Sequence, residues 1–192
     1  MKKIQILELF SGYASWSNPF IQDNQDIITL DYDCKFKPTI CQDILKWNYK
    51  ESNLKPDVIF ASPDCTYFSK ARASLGYPED KIQWTKSLWE KTYEIISYFN
   101  PEYYLIENPI GKARKYYPNY HSIDYCMYGY IIYGAYIKKP TDLWTNIEIP
   151  FKRCDKKHYH GQLMDIVRNK AIRAKIPKGL VLDIREFIYK NI

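Results

Sequence analysis

The chain has 192 residues, 46% of them hydrophobic and 26% charged, with a net charge of +6 and a pI of about 8.9. That length supports one compact domain with a real core and excludes two ordinary ones, and the composition is that of a globular protein, not a disordered one. No apolar run is long enough to span a bilayer, and the modest basic excess permits a polyanionic partner without demanding one.

In chain order, Met1-Lys2-Lys3 leads straight into an apolar run at 4–10, with no secretory pattern before it. We therefore expect a cytoplasmic protein with no membrane association. Further strand-like runs follow at 26–31, 57–61 and 102–107. Each is short and apolar on both faces, as strands sandwiched between helices are. Between the third and fourth, Trp84, Leu88, Trp89, Tyr93, Ile96 and Phe99 recur at helical spacing. This predicts a helix over 83–99 with Trp84 and Trp89 in the core, stopped by Asn100-Pro101. Alternating strands and crossover helices predict an α/β fold with a doubly wound, mostly parallel, Rossmann-like sheet whose site lies at the carboxyl ends of the strands. After Asn108 come a basic aromatic stretch (110–120), a tyrosine-dense one (125–136), a further strand (141–145), a polar basic stretch (155–178) and a closing helix (180–192).

Each strand ends in reactive or ligand-binding chemistry. The first runs into Ser11-Gly12, where a glycine lets backbone approach a ligand. The second ends at Asp31, about 20 residues on, a position that commonly bonds an adenosine ribose. The third leads to Ser62-Pro63-Asp64-Cys65. A cysteine in a loop fixed by a buried strand is placed as a nucleophile, although a buried structural thiol has the same local pattern. The fourth ends in Glu107-Asn108-Pro109. The five cysteines are scattered and odd in number, which predicts reduced thiols, with Cys34, Cys41 and Cys126 as small apolar fillers. Cys154, His158 and His160 have the look of a metal cluster, but their spacing fits no common zinc site, so no metal is expected.

Taken together, Glu8-Leu9-Phe10-Ser11-Gly12, Asp31-Tyr32, Asp43-Ile44, Asp64-Cys65-Thr66-Tyr67-Phe68-Ser69 and Glu107-Asn108-Pro109 resemble, in order and spacing, five motifs of the cytosine-C5 DNA methyltransferase family. The resemblance spans roughly 4–146, with a weaker echo at 173–180, and is greatest to compact phage-type members; restriction-modification is a setting it implies. It implies a class I S-adenosylmethionine-dependent methyltransferase acting on double- or single-stranded DNA in a bacterial or phage-infected cell. It also implies roles: Cys65, Glu107 and Asn108 catalytic, and Phe10, Ser11, Gly12, Asp31, Tyr32, Asp43, Ile44 and Pro63 holding S-adenosylmethionine. Ser69, Lys70, Arg72, Lys112, Arg114, Lys115, Lys138, Lys139 and Thr141 are then candidates for DNA contacts.

Three departures stand out. The family's second glycine is Ala14, the residue before the nucleophile is Asp64 where Pro is usual, and Lys138-Lys139-Pro140-Thr141 replaces an arginine-containing motif. Asp64 either raises the thiol pKa of its neighbour or turns away to cap the following turn. Residues 146–173 are too few for a base-reading domain of ordinary size, so low sequence specificity, or a second subunit that supplies recognition, is expected. The same chemistry on RNA or a free cytidine nucleotide, a donor carrying a larger group, and a non-catalytic binding protein with this fold are the competing readings.

Overall fold

The computed structural model describes residues 2–155 and 173–192. Five parallel strands form the centre: β1 (Gln5–Leu9), β2 (Asp26–Asp31), β3 (Ile40–Cys41), β4 (Val58–Ala61) and β5 (Tyr103–Pro109). Beyond β5 lie β6 (His121–Asp124) and β9 (Pro140–Thr145), and the sheet order is β3-β2-β1-β4-β5-β9-β6. β9 runs antiparallel to both its neighbours. A separate hairpin pairs β7 (Ile131–Ile132) with β8 (Ala135–Tyr136). The order reverses between β1 and β4, since the chain leaves β1 for β2 on one side and returns to β4 on the other. Such a reversal opens a crevice at the carboxyl ends of the two strands.

The core follows from strand alternation. One face carries Leu7, Leu9, Ile59, Ala61 and Ile106 and is covered by helix α2 (Glu79–Phe99) through Leu88, Trp89, Ile95 and Ile96. The opposite face carries Ile6, Val58, Phe60, Leu105 and Leu143. It packs against α1 (Asn18–Ile21) through Phe20 and against α4 (Lys178–Asn191) through Leu180, Val181, Ile184 and Ile188. A single helical turn, α3 (Ala113–Tyr116), follows β5. No helix among the described residues is long and apolar enough to cross a membrane.

Two sequence expectations are corrected here. Trp89 is fully buried, stacked on Tyr117 and edge-on to Trp144, but Trp84 is 42% exposed. The helix starts one turn earlier than its apolar spacing implies, and Trp84 sits near its N-terminal end, where it borders a cavity instead of the sheet. Helical spacing alone does not tell where the sheet beneath a helix ends. Cys34 and Cys41 are not reduced apolar fillers. Both are exposed and form a disulfide, because the tight turn at Cys34–Phe36 brings the chain back with a Cα–Cα distance of 5.4 Å. Cys65, Cys126 and Cys154 are not disulfide-bonded. His158 and His160 lie outside the described residues.

The C-terminal helix is tied to α1's end by Arg185, whose Nε and Nη2 donate to Asp23 at 2.6 and 2.5 Å, with Tyr189 Oη donating to the same carboxylate at 2.7 Å. The arginine hydrogen bonds hold the Asp23 carboxyl below its ordinary value of 3.8. A depressed folded-state pKa stabilises above the unfolded value and loses that contribution as pH falls through the folded one. Asp23→Asn should therefore melt about 2–4 °C below the parent at pH 7, the size of a loss of ~1 kcal/mol. The gap should close as the pH is lowered well below 3.8. Thermal melts by circular dichroism across this range check it, and a gap independent of pH would contradict the assignment.

Candidate active site

The strand tips are brought level by register: Leu9 pairs with Leu30 and with Ala61, and Ala61 pairs with Ile106. The residues just beyond these positions therefore face one another across the crevice. Two cavities occupy it, of about 520 Å³ and about 300 Å³. Both are lined by Phe10 and Asp64, so they adjoin.

The loop after β1 is built around Glu8 and Asp31. Glu8 is buried and accepts from the backbone N–H groups of Trp16 (3.3 Å) and Ser17 (2.9 Å) and from Ser17 Oγ (2.5 Å). Burial pushes its carboxyl up to about 7 against those bonds. Gly12 N–H donates to Asp31 Oδ2 at 2.8 Å, and Asp31 Oδ1 accepts from Asp33 N–H at 2.9 Å. Phe10, Gly12 and Ala14 all have left-handed backbone, with φ of 57°, 49° and 54°. Ala14 thus stands, strained, at a position that favours glycine. Ser11 lines the larger cavity, and its buried Oγ has no hydrogen-bond partner among the described residues. The smaller cavity is walled by Asp31, Tyr32, Asp43 and Ile44.

Cys65 lines the larger cavity together with Pro63 and Glu107. Asp64 Oδ1 accepts from Thr66 N–H at 2.6 Å, which is the turn-capping arrangement. Asn108 is fully buried and its Nδ2 donates to the carbonyl of Pro63 at 2.9 Å, bracing the cysteine loop from β5. Glu107 is 5% exposed, and its Oε1 accepts from Tyr125 Oη at 2.8 Å and faces Lys139 Nζ at 3.8 Å. The arrangement presents a thiol and a carboxyl group to one cavity.

The basic residues divide. Ser69, Arg72 and Lys139 line the larger cavity, as do Arg173 and Lys175. Lys70 and Lys115 are exposed, Lys138 is half-buried, and Lys112 Nζ lies 3.8 Å from the Tyr77 ring centre. Two candidates for DNA contact are placed otherwise. Arg114 donates from Nε and Nη2 to fully buried Asp142 at 2.5 and 2.6 Å and from Nη2 to Ser122 at 2.8 Å, so its fork neutralises an internal charge. Thr141 is fully buried and donates to the carbonyl of Lys139 at 3.1 Å.

Two positions that the sequence did not single out bear on the site: Gly111 and Tyr125. Gly111 left a signal, as one of only seven glycines and close after the Glu-Asn-Pro motif. Its backbone bridges Ser69, and Lys112 N–H donates to Phe68 O at 2.7 Å. A Cβ at Gly111 would lie 1.9 Å from Phe68 O and 2.8 Å from Phe68 C. Backbone cannot step aside as a flexible side chain can. Gly111→Ala should cost about 1–3 kcal/mol by overpacking and make the 65–75 loop the first site of limited proteolysis. Unchanged melting and an unchanged cleavage pattern would contradict this.

The chain is similar to known proteins at the level of sequence family and of fold. The profile of the C-5 cytosine-specific DNA methylase family matches residues 4–115. A Frog virus 3 (isolate Goorha) protein described as a DNA (cytosine-5)-methyltransferase is 35% identical over 163 residues, 76% of this chain and 72% of its own length. The crystal structure of an E. coli prophage-encoded protein, described as a DNA modification methyltransferase, superposes with a TM-score of 0.54 at 15% identity. The match covers 85% of this chain but only 54% of that one, and it speaks for the fold alone. On the profile and the viral relative, the chain belongs to the C-5 cytosine-specific DNA methylase family.

Proposed function

We propose that the protein transfers a methyl group from S-adenosylmethionine to C5 of cytosine in DNA through a covalent bond between Cys65 and C6. The observation that carries the reading is the convergence of Cys65 and Glu107 on one cavity adjoining a second, acid-walled one. The donor set fits the cofactor. Asp31 suits a ribose diol, Tyr32, Asp43 and Ile44 an adenine, and unpartnered Ser11 Oγ with the Phe10–Gly12 backbone the amino-acid end. When bound, S-adenosylmethionine supplies an electrophilic methyl group on a sulfonium.

The chain's own residues do the rest. The Cys65 thiolate adds to C6, which breaks the C5–C6 double bond and moves its electron pair toward C5. Glu107 supplies a proton at N3, so the adduct carries no net negative charge on the ring. Once C5 is methylated, loss of its proton to a base or water re-forms the double bond and expels the Cys65 thiolate, and N3 returns its proton to the Glu107 carboxylate. Asn108 holds the loop that carries the sulfur through its bond to Pro63. The base must leave the stack to reach a cavity at the strand tips. Lys70, Arg72, Lys112, Lys115 and Lys138 serve the phosphates, and Lys139 reaches the cavity itself. With only residues 146–173 in place of a base-reading domain, backbone charge and stacking dominate and sequence specificity is low.

Duplex DNA carrying 5-fluorocytosine tests the reading, because fluorine at C5 cannot leave as the proton does. With S-adenosylmethionine, the wild type should form a protein–DNA band that survives denaturation, and Cys65→Ser should form none. On ordinary DNA, Cys65→Ser should lose methyl transfer by on the order of a thousandfold or more. Transfer to DNA that persists in Cys65→Ser, or label that enters only RNA or nucleotides, would overturn the proposal.

A further inference from the structure

We infer that Tyr125 is the positioning residue of the base-binding carboxyl group, holding Glu107 by one oxygen so that the other is presented to the cytosine edge. The inference rests on the function proposed above and adds to it a residue outside the five motifs that carry the family resemblance.

The two oxygens of Glu107 are not equivalent. Oε1 accepts from Tyr125 Oη at 2.8 Å and is the oxygen that faces Lys139 Nζ. Among the described residues no donor reaches Oε2, and it is not one of the buried polar atoms sealed off without a partner. It therefore opens to the cavity that Glu107 shares with Cys65. A carboxyl free to turn about its last bond would exchange these oxygens; one held by a buried donor does not.

Tyr125 is built to hold. It is fully buried, its N–H donates to Lys138 O at 2.8 Å, and its carbonyl accepts from Tyr130 N–H at 3.2 Å. Its ring meets Tyr130 edge-on at 5.3 Å, and Lys139 Nζ lies 4.4 Å from its ring centre. Burial first, and then the Glu107 charge, hold its phenol well above 10, so it stays protonated at every working pH. Lys139 reaches this position from a left-handed backbone with φ of 28°, a strain of the kind that persists where surrounding contacts over-determine it. A permanent donor on Oε1 leaves Oε2 as the oxygen from which a proton passes to N3. Tyr125 touches Glu107 and not the base, so its effect is on how the carboxyl is aimed.

Adduct formation on two targets separates aiming from general damage. Cytosine needs N3 protonation for attack at C6. Pyrimidin-2-one, which lacks the 4-amino group, is intrinsically more electrophilic at C6 and leans less on the acid. Tyr125→Phe keeps the ring, its packing on Tyr130 and the contact with Lys139, and removes the hydroxyl with its bonds to Glu107 and Thr141. In duplexes with either base at the target position, Tyr125→Phe should slow adduct formation on cytosine by about tenfold or more and on pyrimidin-2-one by less than about threefold. Binding of S-adenosylhomocysteine, measured by calorimetry, should stay within about twofold of the wild type, which shows that the variant is folded. Glu107→Gln should show the same bias toward pyrimidin-2-one, more strongly. Equal slowing on both targets, or none on either, would overturn the positioning role. A wild type that bonds neither target would remove the underlying function instead, and the parent protein itself would reveal that failure.

Discussion

The parallel register of β1, β4 and β5 is the constraint on which the rest depends. Leu9, Ala61 and Ile106 lie side by side, so the next residues of three separate segments emerge at one level. In a parallel sheet the hydrogen bonds fix this level along every strand, and a slip of one residue would turn Glu107 to the opposite face. The chain reverses its winding between β1 and β4, so no crossover helix fills the space above these tips. The adjoining cavities are what the topology leaves open there.

Level strand tips would still not aim a sulfur atom, because the loop after β4 could move. It is held from β5's side at several points. Asn108 fixes the Pro63 carbonyl, Lys112 N–H fixes that of Phe68, and Gly111 lets the two backbones touch. Phe68 is fully buried and stacks on Tyr116 from the single turn α3. Each bond is modest, with a net contribution of about 1 kcal/mol. Their common effect is to make the cysteine loop and the carboxylate strand one unit, so that the distance between thiol and carboxyl is set by the fold and not by chance closure.

Much of this was legible in the sequence, for identifiable reasons. The 26–31 run matches β2 in full, and β1, β4 and β5 differ from their runs by a residue or two at their ends, because strands buried on both faces are continuously apolar; the two-residue β3 was not foreseen. Asn100, with left-handed φ of 46°, ends α2 where Asn-Pro predicted. What stayed hidden depends on partners far along the chain. Arg114 reads as a phosphate ligand until Asp142, 28 residues on, is found beneath it. Tyr125 is one tyrosine of nineteen until β5 places Glu107 against its hydroxyl. The Cys34–Cys41 pair defeats a count of cysteines, since an odd total does not forbid one short local bridge. Trp84 keeps perfect helical spacing with Trp89 yet overhangs a cavity, because periodicity gives a face and not the extent of what lies under it.

The central claim is that the two cavities are one site, with cofactor and target meeting across Phe10 and Asp64. A crystal structure with S-adenosylhomocysteine addresses it most directly. The account predicts adenosine between Asp31, Asp43 and Ile44, with the ligand's sulfur in the larger cavity on the same side of the sheet as Cys65. A ligand bound elsewhere, or one whose sulfur is separated from Cys65 by the sheet, would contradict it.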